Sequence, residues 1–135
     1  MTDRPSIVFL CVHNAGRSQM AAAFARELGG DRVEVFSGGS DPGTEVNPGA
    51  VAAMLEVGID MSAAMPAKWT DDIIRDADVV VTMGCGDECP YFSGVVYRDW
   101  ELADPSGLPL EDIRPIRDEI KERVKALLKE FDAIG

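Results

Sequence analysis

The chain has 135 residues, enough for one domain with a real core, and its hydrophobic fraction of 46% is that of a soluble globular protein. A formal net charge of -11, from 24 acidic and 13 basic residues, argues against nucleic acid and against an anionic membrane surface as partners. That field repels anions in general, so an anion site has to be built locally. No apolar stretch approaches membrane-spanning length and the N-terminus shows no signal-peptide pattern, so the cytoplasm is the expected compartment and residues 1–135 are expected to form a single domain.

In chain order, Ile7 to Leu10 reads as a short buried strand. After Cys11, Met20, Ala21, Phe24 and Leu28 recur at helical spacing, which predicts a helix from about Ser18 to Leu28, ended by Gly29-Gly30. Val33, Val35 and Phe36 predict a second strand that stops at Ser37-Gly38-Gly39, and Ser40 to Thr44 reads as a loop. Asn47 is suited to cap a second helix with Pro48 at its first position, running to about Val57. Met61 to Ala67 has no regular pattern, and Thr70-Asp71-Asp72 opens a short helix. Asp78 to Met83 is a near-continuous apolar run, the pattern of a strand covered on both faces, and Val95-Val96-Tyr97 reads as a fourth strand. The last helix, from about Leu110 to Phe131, has Ile113, Ile116, Ile120, Val124, Leu127, Leu128 and Phe131 on one stripe, with Pro115 expected to kink or delay it. Strands alternating with helices predict a doubly wound α/β sheet with its site at the carboxyl ends of the strands.

Three chemical stretches fall on that edge. Cys11-Val12-His13-Asn14-Ala15-Gly16-Arg17-Ser18 places a thiol at a strand end, before a loop that runs into a helix N-terminus. Loop amides and the helix dipole favour an anion there, and the same field favours thiolate over thiol. Arg17 can grip two oxygens of a tetrahedral oxyanion at once, and Ser18 can donate a hydrogen bond to the sulfur. After the predicted fourth strand, Asp104-Pro105-Ser106-Gly107 holds a carboxyl on a rigid turn, where it can protonate a leaving oxygen as Cys11 attacks. Asp99 and Glu101 are second choices for that acid. Alternatively, Cys11 is a plain core cysteine and Asp104-Pro105 a plain turn.

The third stretch is Gly84-Cys85-Gly86-Asp87-Glu88-Cys89-Pro90. On a helical turn its two cysteines would have Cβ atoms about 5–6 Å apart, close enough to pair with modest adjustment. They read as resolving thiols for an intermediate on Cys11, with packed, chemically idle thiols as the alternative. A zinc site is disfavoured by the spacing and by the single histidine, so no metal is expected. That histidine, His13, is expected to point outward and line the entrance of the anion loop rather than act as a base, because Asp104 already supplies the acid.

Cys11-Val12-His13-Asn14-Ala15-Gly16-Arg17-Ser18-Gln19-Met20-Ala21 and Asp104-Pro105-Ser106 resemble the arsenate reductases built on the low-molecular-weight protein tyrosine phosphatase fold, over essentially the whole chain. The resemblance implies a single four-stranded parallel sheet with helices on both faces, with Cys11 as nucleophile on arsenate. It further implies that Arg17 and the amides of residues 12–17 bind the oxyanion, that Asn14 holds the loop shape, that Ser18 supports the thiolate and that Asp104 is the acid. The phosphatases of this fold usually place an aromatic after the Asp-Pro pair, where Ser106 stands. They commonly carry a second cysteine where Gly16 stands, and they lack the Cys85/Cys89 pair. The thioredoxin-coupled reductases begin their cysteine pair at the position of Gly84 and space it more widely. They also carry an acidic potassium ligand where this chain has Ala22 and Ala23, so no potassium site is carried over. Met83-Gly84-Cys85-Gly86-Asp87 through Cys89-Pro90 looks more like the actinobacterial members. That likeness implies no bound cofactor, mycothiol as co-substrate and a glutaredoxin-like protein as partner, with thioredoxin as the alternative reductant. Two other functions stay open: a low-molecular-weight protein tyrosine phosphatase, and a non-catalytic sensor of an oxyanion or arsenite.

Overall fold

A computed structural model of the chain describes residues 4–84 and 90–131. In chain order it contains β1 (Ser6–Cys11), α1 (Arg17–Gly29), a short 3-10 turn (Gly30–Arg32), β2 (Glu34–Gly39), α2 (Pro48–Leu55), α3 (Asp71–Arg75), β3 (Val79–Thr82), β4 (Val96–Asp99) and α4 (Leu110–Glu130). The sheet has four strands in the order β2-β1-β3-β4, and every pairing is parallel. The chain order reverses at β1, so the crevice beyond the ends of β1 and β3 is where this architecture opens a ligand site.

Both sheet faces are covered. The alternation of β1 sends Ile7, Phe9 and Cys11 to the face packed by α1, α2 and α4, and Val8 and Leu10 to the face packed by α3 and Trp69. This parity puts the Cys11 thiol on the side from which α1 departs. On α4, Ile113, Ile116, Ile120, Val124, Leu127 and Leu128 are buried, as their stripe predicts. Asn47 caps α2 by accepting from the Gly49 amide with Pro48 at the first helical position, and Thr70 caps α3 by accepting from the Ile73 amide.

Two expectations need correction. Pro115 does not delay α4, which is already helical from Leu110. The donor that proline lacks would have served the Glu111 carbonyl, and both residues are exposed, so water can serve it instead. The second strand does not stop before the glycines: Ser37, Gly38 and Gly39 pair in register with Phe9, Leu10 and Cys11. A Cβ on Gly39 would lie 2.5 Å from the Val12 carbonyl oxygen and 3.0 Å from the Asn14 amide nitrogen, so only glycine lets the strand end reach the loop after Cys11.

An ion cluster ties α2 to α4. Glu56 takes a two-pronged bond from Arg114 and a third contact from the buried Arg117, which also donates to the Ala53 carbonyl. The hydrogen bonds from Arg114, and then those from Arg117, hold the Glu56 carboxyl at about 2, below the usual glutamate range. Its charged form therefore stabilises the fold above the unfolded glutamate value, and that contribution is lost as pH falls from about 4.3 through the folded value. Glu56→Gln should lower the melting temperature by a few degrees at neutral pH, because the cluster is partly exposed and screened. The gap between variant and parent should close as pH falls toward the folded value. Thermal unfolding across that range checks this; a gap independent of pH would contradict it.

Candidate active site

The segment between β1 and α1 is a loop whose carbonyls are turned outward. Those of Cys11, Val12, His13 and Ala15 accept from the amides of Ser40, Asp41, Gly43 and Asn47, and that of Asn14 accepts from the Gln19 side chain. In a trans peptide the N–H of the next residue points the opposite way from the carbonyl. The amides of residues 12 to 16 are therefore aimed at the inner side of the loop, and the Asn14 amide shows the direction by donating to Cys11 Sγ at 3.2 Å. The first turn of α1 adds its own free amides to this side. The result is a ring of donors at the end of the sheet, suited to a tetrahedral oxyanion.

Asn14 sets the shape of this loop. It is fully buried and sits at φ 50°, a left-handed conformation that asparagine tolerates better than most residues. Its Oδ1 accepts from the Ala67 amide at 3.0 Å and from Gln19 Nε2, which also donates to the Met65 carbonyl. These main-chain partners fix the orientation of both side-chain amides. Asn14 Nδ2 is then the donor to Ser18 Oγ at 2.7 Å, so the serine hydrogen is free to point at Cys11 Sγ, 2.8 Å away. Ser18 is thereby set as a donor to the sulfur, the polarity that stabilises a thiolate.

Asn14→Asp tests this chain of donors. A carboxylate would accept from Ser18, turn its hydrogen away from the sulfur and add a negative charge beside it. Losing one charge-assisted hydrogen bond at the nucleophile should slow reaction of Cys11 with an alkylating probe by about 10- to 100-fold at neutral pH. Unchanged alkylation would show that the Ser18 hydrogen is not what supports the sulfur.

Cys11 is 3% exposed and opens to a cavity of about 320 Å³ also lined by His13, Ala15, Gly16, Arg17, Glu45, Asn47, Pro48 and residues 104–107. The Arg17 side chain is 17% exposed, and its Nη1 donates to the Leu102 carbonyl at 3.2 Å while Nη2 stands 4.0 Å from Asp104 Oδ2. A Cβ added at Gly84 would sit 3.3 Å from Nη1, so glycine there leaves the guanidinium its room. Gly84 is at φ 91°, so its backbone also favours glycine. Asp104, 60% exposed, anchors its turn by accepting from the Ser106 amide at 3.0 Å. Pro105 is buried against Gly16 and holds the acid-bearing turn over the anion loop.

The structure thus gathers Cys11, Arg17, Ser18 and Asp104, together with loop residues 12–16, around one cavity or its wall. Asp99 is drawn away to accept from Thr82, which leaves it in the sheet rather than over the loop, and Glu101 is exposed and does not line the cavity. Cys85 and Cys89 lie outside the described residues. Sequence reasoning missed Gln19, Gly39, Glu45 and Asn47 as members of the site. Gly38-Gly39 was the one available signal, since paired glycines at a strand end mark a close backbone approach. No tyrosine, phenylalanine or tryptophan lines the cavity among the described residues. No helix among them is long and apolar enough to cross a membrane.

Residues 6–134 match the family described as low molecular weight phosphotyrosine protein phosphatase. The chain is 39% identical over 125 residues to the glutaredoxin arsenate reductase of Synechocystis sp., covering 90% of this chain and 95% of that protein. Among solved structures, it superposes with a TM-score of 0.86 on the thioredoxin-dependent arsenate reductase of Corynebacterium glutamicum, at 44% identity. That match covers 97% of this chain but only 63% of the corynebacterial one, which is therefore the longer chain. An arsenate reductase solved in the reduced state matches with a TM-score of 0.83 at 38% identity, covering 94% of this chain and 98% of that one.

Proposed function

The chain belongs to the low molecular weight phosphotyrosine protein phosphatase family, siding within it with the arsenate reductases, and we propose that it reduces arsenate to arsenite through a covalent adduct on Cys11. The observation that carries this reading is the convergence of Cys11, Arg17 and Asp104 on one cavity whose floor is a ring of inward amides. Arsenate sits in that ring with two oxygens on Arg17. The Cys11 thiolate, held by the Ser18 hydroxyl and the Asn14 amide, attacks arsenic. Asp104 gives a proton to the departing oxygen, which leaves as water. A second thiol then attacks the Cys11 sulfur, the sulfur–arsenic bond breaks with its electron pair on arsenic, and arsenite leaves.

Two features favour reduction over phosphate-ester hydrolysis. No large aromatic ring among the described residues offers a platform for an aryl substrate. In sequence, Gly84 is followed by two further cysteines, Cys85 and Cys89. Arsenic(V) accepts two electrons from thiols readily, whereas phosphorus(V) does not, so extra thiols serve only the first chemistry.

The reductant of this reading is mycothiol with a glutaredoxin-like protein, and the cytoplasm is its compartment. Thioredoxin is the second reading, favoured by the corynebacterial relative whose description calls it thioredoxin-dependent. The test is arsenite production from arsenate with either reductant, by the parent and by Cys85→Ser and Cys89→Ser. Turnover with mycothiol that both variants retain would support a small-thiol enzyme with Cys11 as its one essential cysteine. Turnover with thioredoxin that either variant abolishes would instead assign an intramolecular relay. Hydrolysis of an aryl phosphate with no arsenite in any tube would reassign the chain as a phosphatase, and binding of arsenate or arsenite with no turnover as a sensor.

A further inference from the structure

We propose that His13 is the general base that takes the proton from the thiol entering to reduce the Cys11–arsenic adduct. The proposal rests on the arsenate-reductase reading. His13 lines the cavity with Cys11, Arg17 and Asp104, and it is the only histidine in the chain. Its Nδ1 lies 2.9 Å from the main-chain oxygen of Asp41. A carbonyl oxygen only accepts, so Nδ1 carries a hydrogen and Nε2 carries the lone pair of the neutral ring. The His13 carbonyl accepts from the Gly43 amide, so residues 41–43 hold both the ring and its backbone. One tautomer is therefore set in place at the lip of the cavity, with its basic nitrogen on the ring edge away from Asp41.

The two halves of the reaction make opposite demands. Adduct formation needs an acid, and Asp104 is placed for that. Reduction needs a base, because the thiolate and not the thiol attacks. Among the described residues, the other cavity-lining groups that could accept the proton are the carboxylates of Asp104 and Glu45. Asp104 Oδ1 already accepts from the Ser106 amide and Oδ2 faces Arg17, so both of its oxygens are turned to the turn and the guanidinium. An imidazole is also closer in basicity to a thiolate than a carboxylate is, and proton transfer is most effective between matched groups. In this step the thiol proton passes to Nε2 and the thiolate sulfur bonds to Cys11 Sγ. The sulfur–arsenic bond breaks and leaves its pair on arsenic, which goes from the (V) to the (III) state. Each sulfur loses one electron and the two remain as a mixed disulfide. The proton on Nε2 then moves to an arsenite oxygen.

A pair of thiol probes tests the role. 2-Mercaptoethanol enters neutral solution protonated and needs a base, whereas 2-nitro-5-thiobenzoate is already ionised. His13→Asn keeps a donor for the Asp41 carbonyl and removes the base. The expected result is that this variant loses arsenite production with 2-mercaptoethanol about 100-fold more than with 2-nitro-5-thiobenzoate. Equal losses with the two thiols would overturn the proposal and leave the reductase reading standing. The differential loss appearing in Glu45→Gln and not in His13→Asn would overturn it in favour of the carboxylate. No arsenite from the parent protein with either thiol, while mycothiol or thioredoxin supports turnover, would overturn the proposal alone, and no arsenite with any of the four reductants would overturn the reductase reading with it.

Discussion

Cys11→Ser should lower arsenate reduction by at least about 10⁴-fold while the protein still folds and still binds the oxyanion. The substitution exchanges one atom in a site that is 3% exposed, so packing changes little. The loop amides and Arg17 do not depend on the sulfur: the outward carbonyls are held by residues 40–47 and the guanidinium by the Leu102 carbonyl. The chemistry does depend on it. A serine hydroxyl is not ionised at neutral pH, and its neighbour Ser18 is committed as a donor toward this position and cannot take its proton. An oxygen bonded to arsenic also cannot form the disulfide that carries the two electrons away. Arsenite release measured beside arsenate binding separates the two effects. Activity near that of the parent would remove Cys11 as the nucleophile, and loss of binding would show that the sulfur helps to build the anion site.

Arg17→Lys is expected to reduce kcat/KM for arsenate by about 100- to 1,000-fold, although the charge is kept. The guanidinium is placed by the Leu102 carbonyl at 3.2 Å and the Asp104 carboxylate at 4.0 Å, and Gly84 leaves it room, since a Cβ there would lie 3.3 Å from Nη1. In that setting it presents a fork to two oxygens at once. A lysine ammonium is a point charge on a flexible stem, and it can serve the Leu102 carbonyl or the substrate but not hold both in the same plane. Both a higher KM and a lower kcat should be seen, because charge builds on the same oxygens as the thiolate attacks. Steady-state kinetics of arsenite production provides the check, and a lysine variant within threefold of the parent would mean that the charge alone suffices.

The chemistry of the first loop was legible because it is local. A buried strand ending in Cys11 and a helix starting at Arg17 leave only a short loop between them, and in such a unit the thiol, the amides and the guanidinium have few other places to go. The strand and helix patterns likewise follow from short-range periodicity and capping, so Asn47, Thr70 and the α4 stripe could be read directly. The misjudged end of β2 had a non-local cause. Glycines normally punctuate a strand, but Gly38 and Gly39 continue this one because Trp69, Val12 and Asn14 crowd the space that side chains would need.

The residues of the chain, taken in order, were enough to point to a candidate nucleophile, a candidate oxyanion-binding arginine and a candidate acid, and to a parallel α/β frame. Tertiary structure decided which way each group acts. Parallel pairing of β1 with β2 brings residues 40–47 alongside the loop, and their amides draw its carbonyls outward and so turn its own amides in. The segment at Met65 and Ala67 orients Gln19 and Asn14, and through them the hydrogen of Ser18. The turn after β4 holds Arg17, the glycine after β3 leaves it room, and Asp41 selects the tautomer of His13. Each of these partners is a main-chain group or a glycine, whose direction is set by the path of the backbone. Residue identity shows which groups can donate or accept, whereas the packing of distant segments fixes where those groups point.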